Sequence, residues 1–288
     1  MTSRRAWILL PIVCLPAVAS ADDWQVTPRV LAGVEYLHYE EQGPVGDDPT
    51  AVLDKNTGPQ PTARIEVDAT GLHSHLFARA SFNWTGGSTT YDGGGENVAT
   101  GAITPLQGPT TGYMLDADLI VGARGHIASR VMLGGFVGVG EHVWNRDLVA
   151  LPGGYDELYT WPQLELGPRL DVAASRRLTL YSEGTVLVPA FHGNLHTSHD
   201  DNGYDDDDVP LGVDFGFRAR IGAAWAITPR ISVDALVAVE DDTISSSGSS
   251  PLTMNGQPVT VSGMQVYRSE PFSHMYRETF NVGTSYRF

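Results

Sequence analysis

One segment gathers most of the side chains able to hold a metal ion or move a proton. Residues 192–208 read His192-Gly-Asn-Leu-His196-Thr-Ser-His199-Asp200-Asp201-Asn-Gly-Tyr-Asp205-Asp206-Asp207-Asp208. Imidazoles at His196 and His199 suit Zn²⁺, and carboxylates at Asp200, Asp205 and Asp207 suit Ca²⁺ or Mg²⁺. An EF-hand alternates its ligands and closes on Glu, whereas these acids are consecutive. A solvated acidic loop is the simpler reading, so no metal or other cofactor is expected. A second pair, Asp116-Ala-Asp118, puts two carboxylates on one side of an extended chain. The chain has neither a Gly-x-Ser-x-Gly nucleophile elbow nor His-Glu-x-x-His.

These groups need a scaffold, and the sequence describes one. Arg4 and Arg5 precede an apolar stretch, Ala6 to Val18, that ends in the small-residue box Ala19-Ser20-Ala21. This pattern predicts a secretory signal peptide over 1–21 and a single exported domain over 22–288. Cys14, the only cysteine, lies inside the leader. The exported chain would then have neither disulfide nor thiolate chemistry. Beyond Ala21 no apolar run is long enough for a membrane helix. Instead, apolar and polar residues alternate: Ala63, Ile65 and Val67 against Arg64, Glu66 and Asp68; Ala78, Ala80, Phe82 and Trp84 against Arg79, Ser81 and Asn83. Period two means strands with one apolar and one polar face.

Ten such strands are predicted, at 27–40, 60–70, 73–86, 111–126, 129–146, 157–172, 177–192, 211–226, 229–242 and 273–288. Short links alternate with long ones (41–59, 87–110, 147–156, 193–210 and 243–272). Short turns at one end and long loops at the other predict an all-β, antiparallel, up-and-down transmembrane barrel with periplasmic turns and extracellular loops. A hairpin through Val259, Val261, Met264 and Val266 would either extend above the membrane or raise the count to 12. Pro162 and Pro168 each remove a ladder donor and predict local bulges. Glu141, Asp241 and Glu278 fall on the lipid side by simple alternation, and Glu278 would need a bulge.

The inward face carries Arg29, Glu35, Arg64, Glu66, Asp68, Arg79, Arg124, Glu165, Arg169, Asp171, Glu183, Arg218, Arg220 and Asp234. Ten strands lie near the limit at which side chains fill a barrel, so these charges predict a salt-bridged plug. Of the 18 basic residues only Lys55 is lysine. Arginine's planar fork suits buried ion pairs. The net charge of -16 argues against nucleic acid as a partner.

The last strand, with Phe280, Val282, Thr284, Tyr286 and Phe288 on one face, resembles the C-terminal signature of bacterial outer-membrane barrels. That resemblance implies recognition of Tyr286 and Phe288 by the barrel-assembly machinery, residence in a Gram-negative outer membrane, and contact with its lipid and lipopolysaccharide. A monomer is expected. Ten strands under long loops also resemble the omptin proteases. In that family a pair of Asp residues faces an Asp-His couple across the barrel mouth. The resemblance implies Asp116 and Asp118 as the pair, with His199 and Asp201 opposite, although the order of the couple differs. The leading expectation is a non-enzymatic barrel acting through surface interaction or ligand binding. An omptin-like or lipid A-directed hydrolase and a narrow, porin-like solute channel are the alternatives.

Overall fold

The computed structural model describes residues 24–45, 48–71, 75–97, 102–199 and 203–288. The leader and Cys14 lie outside them, as do Asp200 and Asp201. Seven strands come first: β1 (Trp24–Val45), β2 (Asp48–Gly71), β3 (Leu76–Asn97), β4 (Ala102–Ala128), β5 (Val131–Asp147), β6 (Asp156–Ala173) and β7 (Leu178–Pro189). Then follow β8 (Gly193–Ser198), β9 (Asp207–Val213), β10 (Gly216–Ala226) and β11 (Ile231–Ser245). Six short pieces come next: β12 (Ser249–Pro251), β13 (Thr253–Met254), β14 (Gln257–Pro258), β15 (Thr260–Val261), β16 (Met264–Gln265) and β17 (Tyr267–Ser269). The last strand is β18 (Phe272–Tyr286).

Ten strands form the wall. Each of β1 to β6 pairs with the next, β7 pairs with β10, β10 with β11, β11 with β18, and β18 closes the ring on β1, all antiparallel. β8 and β9 continue β7 and β10 beyond breaks at 190–192 and 214–215, and pair with each other and with β6 and β11. The segment that could have supplied two more wall strands folds instead into three short ribbons, β12–β17, β13–β14 and β15–β16.

The closure has a measurable stagger. A walk across paired residues from Val26 passes Ala69, Ala78, Val121, Val137, Leu166, Val186, Phe217, Asp241 and Tyr276. It returns to β1 at His38, 12 residues along. With ordinary strand spacing and rise, that shear inclines the strands about 40° to the barrel axis.

Lipid offers no hydrogen bonds, so a closed ladder is one of the two ways a chain can cross it. The outward side supplies the matching apolar surface: Val30, Val34, Ile65, Phe82, Val121, Val137, Ile221, Val237 and Phe280 are all exposed. Outward Tyr36, Trp84, Tyr113 and Tyr276 mark one edge of this band, and Trp225 and Phe288 the other. Glu278 needs no bulge, because the β1–β18 register runs unbroken past it. It lies at the outer edge, where the Tyr276 hydroxyl donates to it at 3.0 Å. Asp241 at the same edge pairs with His274 at 2.6 Å. Pro162 and Pro168 keep register with β5. Pairing with β7 lapses beside both, at 167–168 and beyond Pro189, so their missing donors fall where the ladder is already open.

The strands run well past the apolar band on the long-loop side. Most of what reads as loop in 41–59 and 87–110 is strand. Above the membrane both faces of a strand meet polar surroundings, so the alternation that reveals a strand disappears.

Candidate functional site

The interior is stacked in three layers. The lowest and middle parts form the charged plug. Glu66 accepts from Arg29 at 2.6 Å, Arg220 at 2.7 Å and Arg64 at 3.3 Å, with Arg79 at 3.9 Å. Glu183 binds Arg79 at 2.6 Å, Arg169 at 2.9 Å and Arg220 at 3.4 Å. Asp171 binds Arg124 and Arg169, and Arg29 also holds Asp68 and Asp234. Arg218 joins Asp118, Glu165 and Glu240. Arg277 joins Asp116, Glu240 and Glu35. All fourteen inward charges named from the sequence thus belong to this plug. Gly140 makes room for it, since a Cβ there would come within 2.8 Å of Glu165 Oε1. The space left in this middle section is about 30 Å³, roughly one water.

The candidate catalytic pair sits in this layer and not at the mouth. β4 reaches outward to Ala102, so Asp116 and Asp118 lie deep inside it. Asp116 bonds His142 Nδ1 at 2.8 Å and Arg277 at 3.0 Å, and Asp118 accepts from Ser81 at 2.8 Å. Both are buried.

Aromatic and aliphatic side chains close the barrel above the plug. Leu37, Tyr39, Met114, Trp144, Tyr159, Trp161, Leu195, Leu211, Ile244 and Met275 form one buried cluster. Trp144 stacks on Tyr159 at 4.9 Å and meets Tyr39 edge-on at 4.7 Å, while Trp161 stacks on His142 at 5.3 Å. These residues keep the inward parity of the charges below them: Met114 is two residues from Asp116, and Trp144 is two from His142.

The outermost layer is built on Arg146, which is fully buried and lies beyond the outer edge of the apolar band. It binds Glu41 at 2.5 Å, Asp54 at 3.0 Å and Glu157 at 3.2 Å. Tyr39, Tyr91 and Trp144 lie with ring centroids 5.0–5.9 Å from its guanidinium carbon. Arg268 adds bonds to Glu157 at 2.6 Å and Asp207 at 3.3 Å. Glu270 has no cation within salt-bridge reach among the described residues. It accepts from the hydroxyls of Tyr39 at 2.8 Å, Tyr159 at 3.1 Å and Ser273 at 3.1 Å. Carboxylates therefore outnumber guanidiniums here.

Electrostatics follow from that surplus. Burial pushes Asp54 up to about 7; Arg146 opposes this, and Glu41 and Glu157 add to it. Burial likewise raises Glu157, and raises Glu270 well above the usual carboxylate range. A carboxyl raised in the folded state costs nothing below its unfolded value of about 4. It lowers stability as pH climbs from there toward its folded value. The mouth should therefore be tightest in mild acid. Hydrogen exchange of amides in β1 and β2 beyond Tyr36, corrected for intrinsic rates, should show roughly tenfold lower protection at pH 8 than at pH 5. Greater protection at pH 8 would contradict this.

The His- and Asp-rich segment forms the β8–β9 hairpin. His196 Nδ1 meets Asp208 at 3.2 Å on the outside, whereas buried His199 lies 3.8 Å from Asp207. Asp205 accepts the backbone N–H groups of Asn255 at 3.1 Å and Gly256 at 2.7 Å. The candidate metal ligands thus point to different partners. Among the described residues no three His, Asp or Glu side chains converge as a metal site.

No family model matches the chain, and no curated protein matches it. Solved structures do. The outer membrane protease OmpT from Escherichia coli superposes with a TM-score of 0.63 at 12% identity, covering 92% of this chain and 97% of that one. The translocator domain of the autotransporter NalP from Neisseria meningitidis gives 0.42 at 12% identity, over 91% and 88% of the two chains. The attachment invasion locus protein Ail of Yersinia pestis gives 0.30 at 10% identity, over 91% and 98%. The chain has the fold of an outer-membrane β-barrel. At these identities the likeness concerns the fold alone.

Proposed function

We propose that the chain is a closed barrel of a bacterial outer membrane that acts by binding a cationic partner at its acidic outer end. The supporting observation is the stack itself: a plug and an aromatic lid fill the lumen, and acidic side chains collect above them. Exposed Asp206 and Asp208 and half-buried Asp147, Asp205 and Asp241 extend the negative field beyond the Arg146 layer. Such a field draws cations and is screened by salt. Asp116 and Asp118 are engaged by His142, Arg277 and Ser81, which does not favour the hydrolase reading built on that pair. Export through the predicted leader and insertion by the barrel-assembly machinery belong to the same proposal.

Oligolysine titrated onto the folded barrel in zwitterionic detergent should bind. The affinity should fall about tenfold between 50 and 200 mM salt, and severalfold in Asp206→Asn/Asp208→Asn. Oligolysine binding that ignores both salt and the substitutions would refute the proposal.

A further inference from the structure

The short-turn end carries the opposite charge. A cavity of about 270 Å³ opens there between the strand ends. Arg29, Arg124, Arg169, Arg230 and Arg287 line it, against two carboxylates, Asp68 and Asp171. Arg29 and Arg169 are committed to the plug, and Arg124 is held by Asp171 at 2.8 Å. The surplus is Arg230 and Arg287, neither of which has a carboxylate within 4 Å among the described residues. They lie side by side, because the Arg287 N–H donates to the Arg230 carbonyl at 2.8 Å.

A second observation comes from inside the cavity. Tyr181 lines it and is buried, and its hydroxyl has no hydrogen-bond partner among the described residues. The Arg29 and Arg169 guanidinium carbons lie 5.7 and 5.6 Å from its ring centroid. Gly222 on the neighbouring strand leaves room for this ring, since a Cβ there would collide with it. A buried hydroxyl left without a partner calls for an acceptor. The surrounding turns add Arg130, Arg176 and Arg177 without a single Asp or Glu. In a chain of net charge -16 this is a local reversal.

We infer that this cavity is an anion site for a phosphate group, entering from the short-turn side and held by Arg230, Arg287 and the Tyr181 hydroxyl. Guanidinium forks match phosphate oxygens in pairs. The volume suits a phosphate with a few further atoms. A soluble phosphate ester and the headgroup of an anionic phospholipid share this chemistry.

The test uses the full barrel in phosphatidylcholine nanodiscs, titrated with inorganic phosphate and followed by ³¹P NMR. Saturable binding is expected, weakened about tenfold or more in Arg230→Gln/Arg287→Gln and severalfold in Tyr181→Phe. Heat-modifiable migration on gels confirms that each variant is folded. Repeating the titration in phosphatidylglycerol nanodiscs separates the sources. Loss of phosphate binding there supports a lipid headgroup, and unchanged binding supports a soluble ester. Absence of saturable binding, or equal binding by wild type and the folded double variant, overturns the site.

Discussion

Replacing Arg146 by Gln is expected to destabilise the barrel by about 3–5 kcal/mol at pH 8, the cost of breaking a buried pair from one side. The reason is local. Arg146 is the shared partner of Glu41, Asp54 and Glu157, all within 3.2 Å. Without it, the Glu41, Asp54 and Glu157 carboxylates face one another and Glu270, with Arg268 the one other guanidinium of this layer among the described residues. The fourth contributor is packing, because the guanidinium fills the space between Tyr39, Tyr91 and Trp144. Protonation limits the damage, so the loss should shrink at pH 5. The double variant Arg146→Gln/Glu157→Gln should recover part of it. Urea unfolding of the barrel in detergent at both pH values checks the sign and the pH dependence. An Arg146→Gln variant equally stable at both would mean that the carboxylates are not coupled to it.

The second large effect lies in the membrane. Glu66→Gln keeps the shape of the side chain and removes one charge from among four arginines. Arg79 and Arg220 retain Glu183, and Arg29 retains Asp68 and Asp234. Arg64 keeps only Asp118, at 3.7 Å. A loss of about 3–5 kcal/mol is expected, carried mainly by unbalanced repulsion in a water-poor interior. In the same unfolding assay, a change below about 0.5 kcal/mol, ordinary for a surface substitution, would show that the plug is loosely hydrated instead of tightly paired.

The wall was largely legible in the sequence, because lipid on one side and charge on the other impose period two. Ile65, Val67, Phe82, Val121 and Phe280 face outward, and Arg64, Glu66, Arg79 and Glu183 inward, as the alternation requires. The plug followed from the same parity. What alternation could not reveal lies above the bilayer. Glu41 and Asp54 stand on strands whose outer residues are also polar, so they read as loop. Arg268 lies in a piece too short to show a period, and Glu270 lies just beyond it. The aromatic lid gives no separate signal: Trp144 and Tyr159 share the inward parity of His142 and Trp161, but apolar side chains on a barrel strand suit lipid as well as a packed lumen. The omptin resemblance implies a place at the mouth for Asp116 and Asp118, but a strand that begins well before residue 111 carries them deeper. The strand reaches Ala102, so the pair sits in the plug. For His199 the sequence showed a cluster of ligands, whereas the hairpin register sends His196 and His199 to different acids.

The central claim is that the lumen is closed, and electrical recording tests it most directly. The purified barrel, shown to be folded by heat-modifiable migration, is inserted into planar lipid bilayers in 1 M KCl. The stacked plug and lid predict no stable open level, with rare brief flickers at most. A long-lived, ohmic conductance from singly inserted molecules would contradict it.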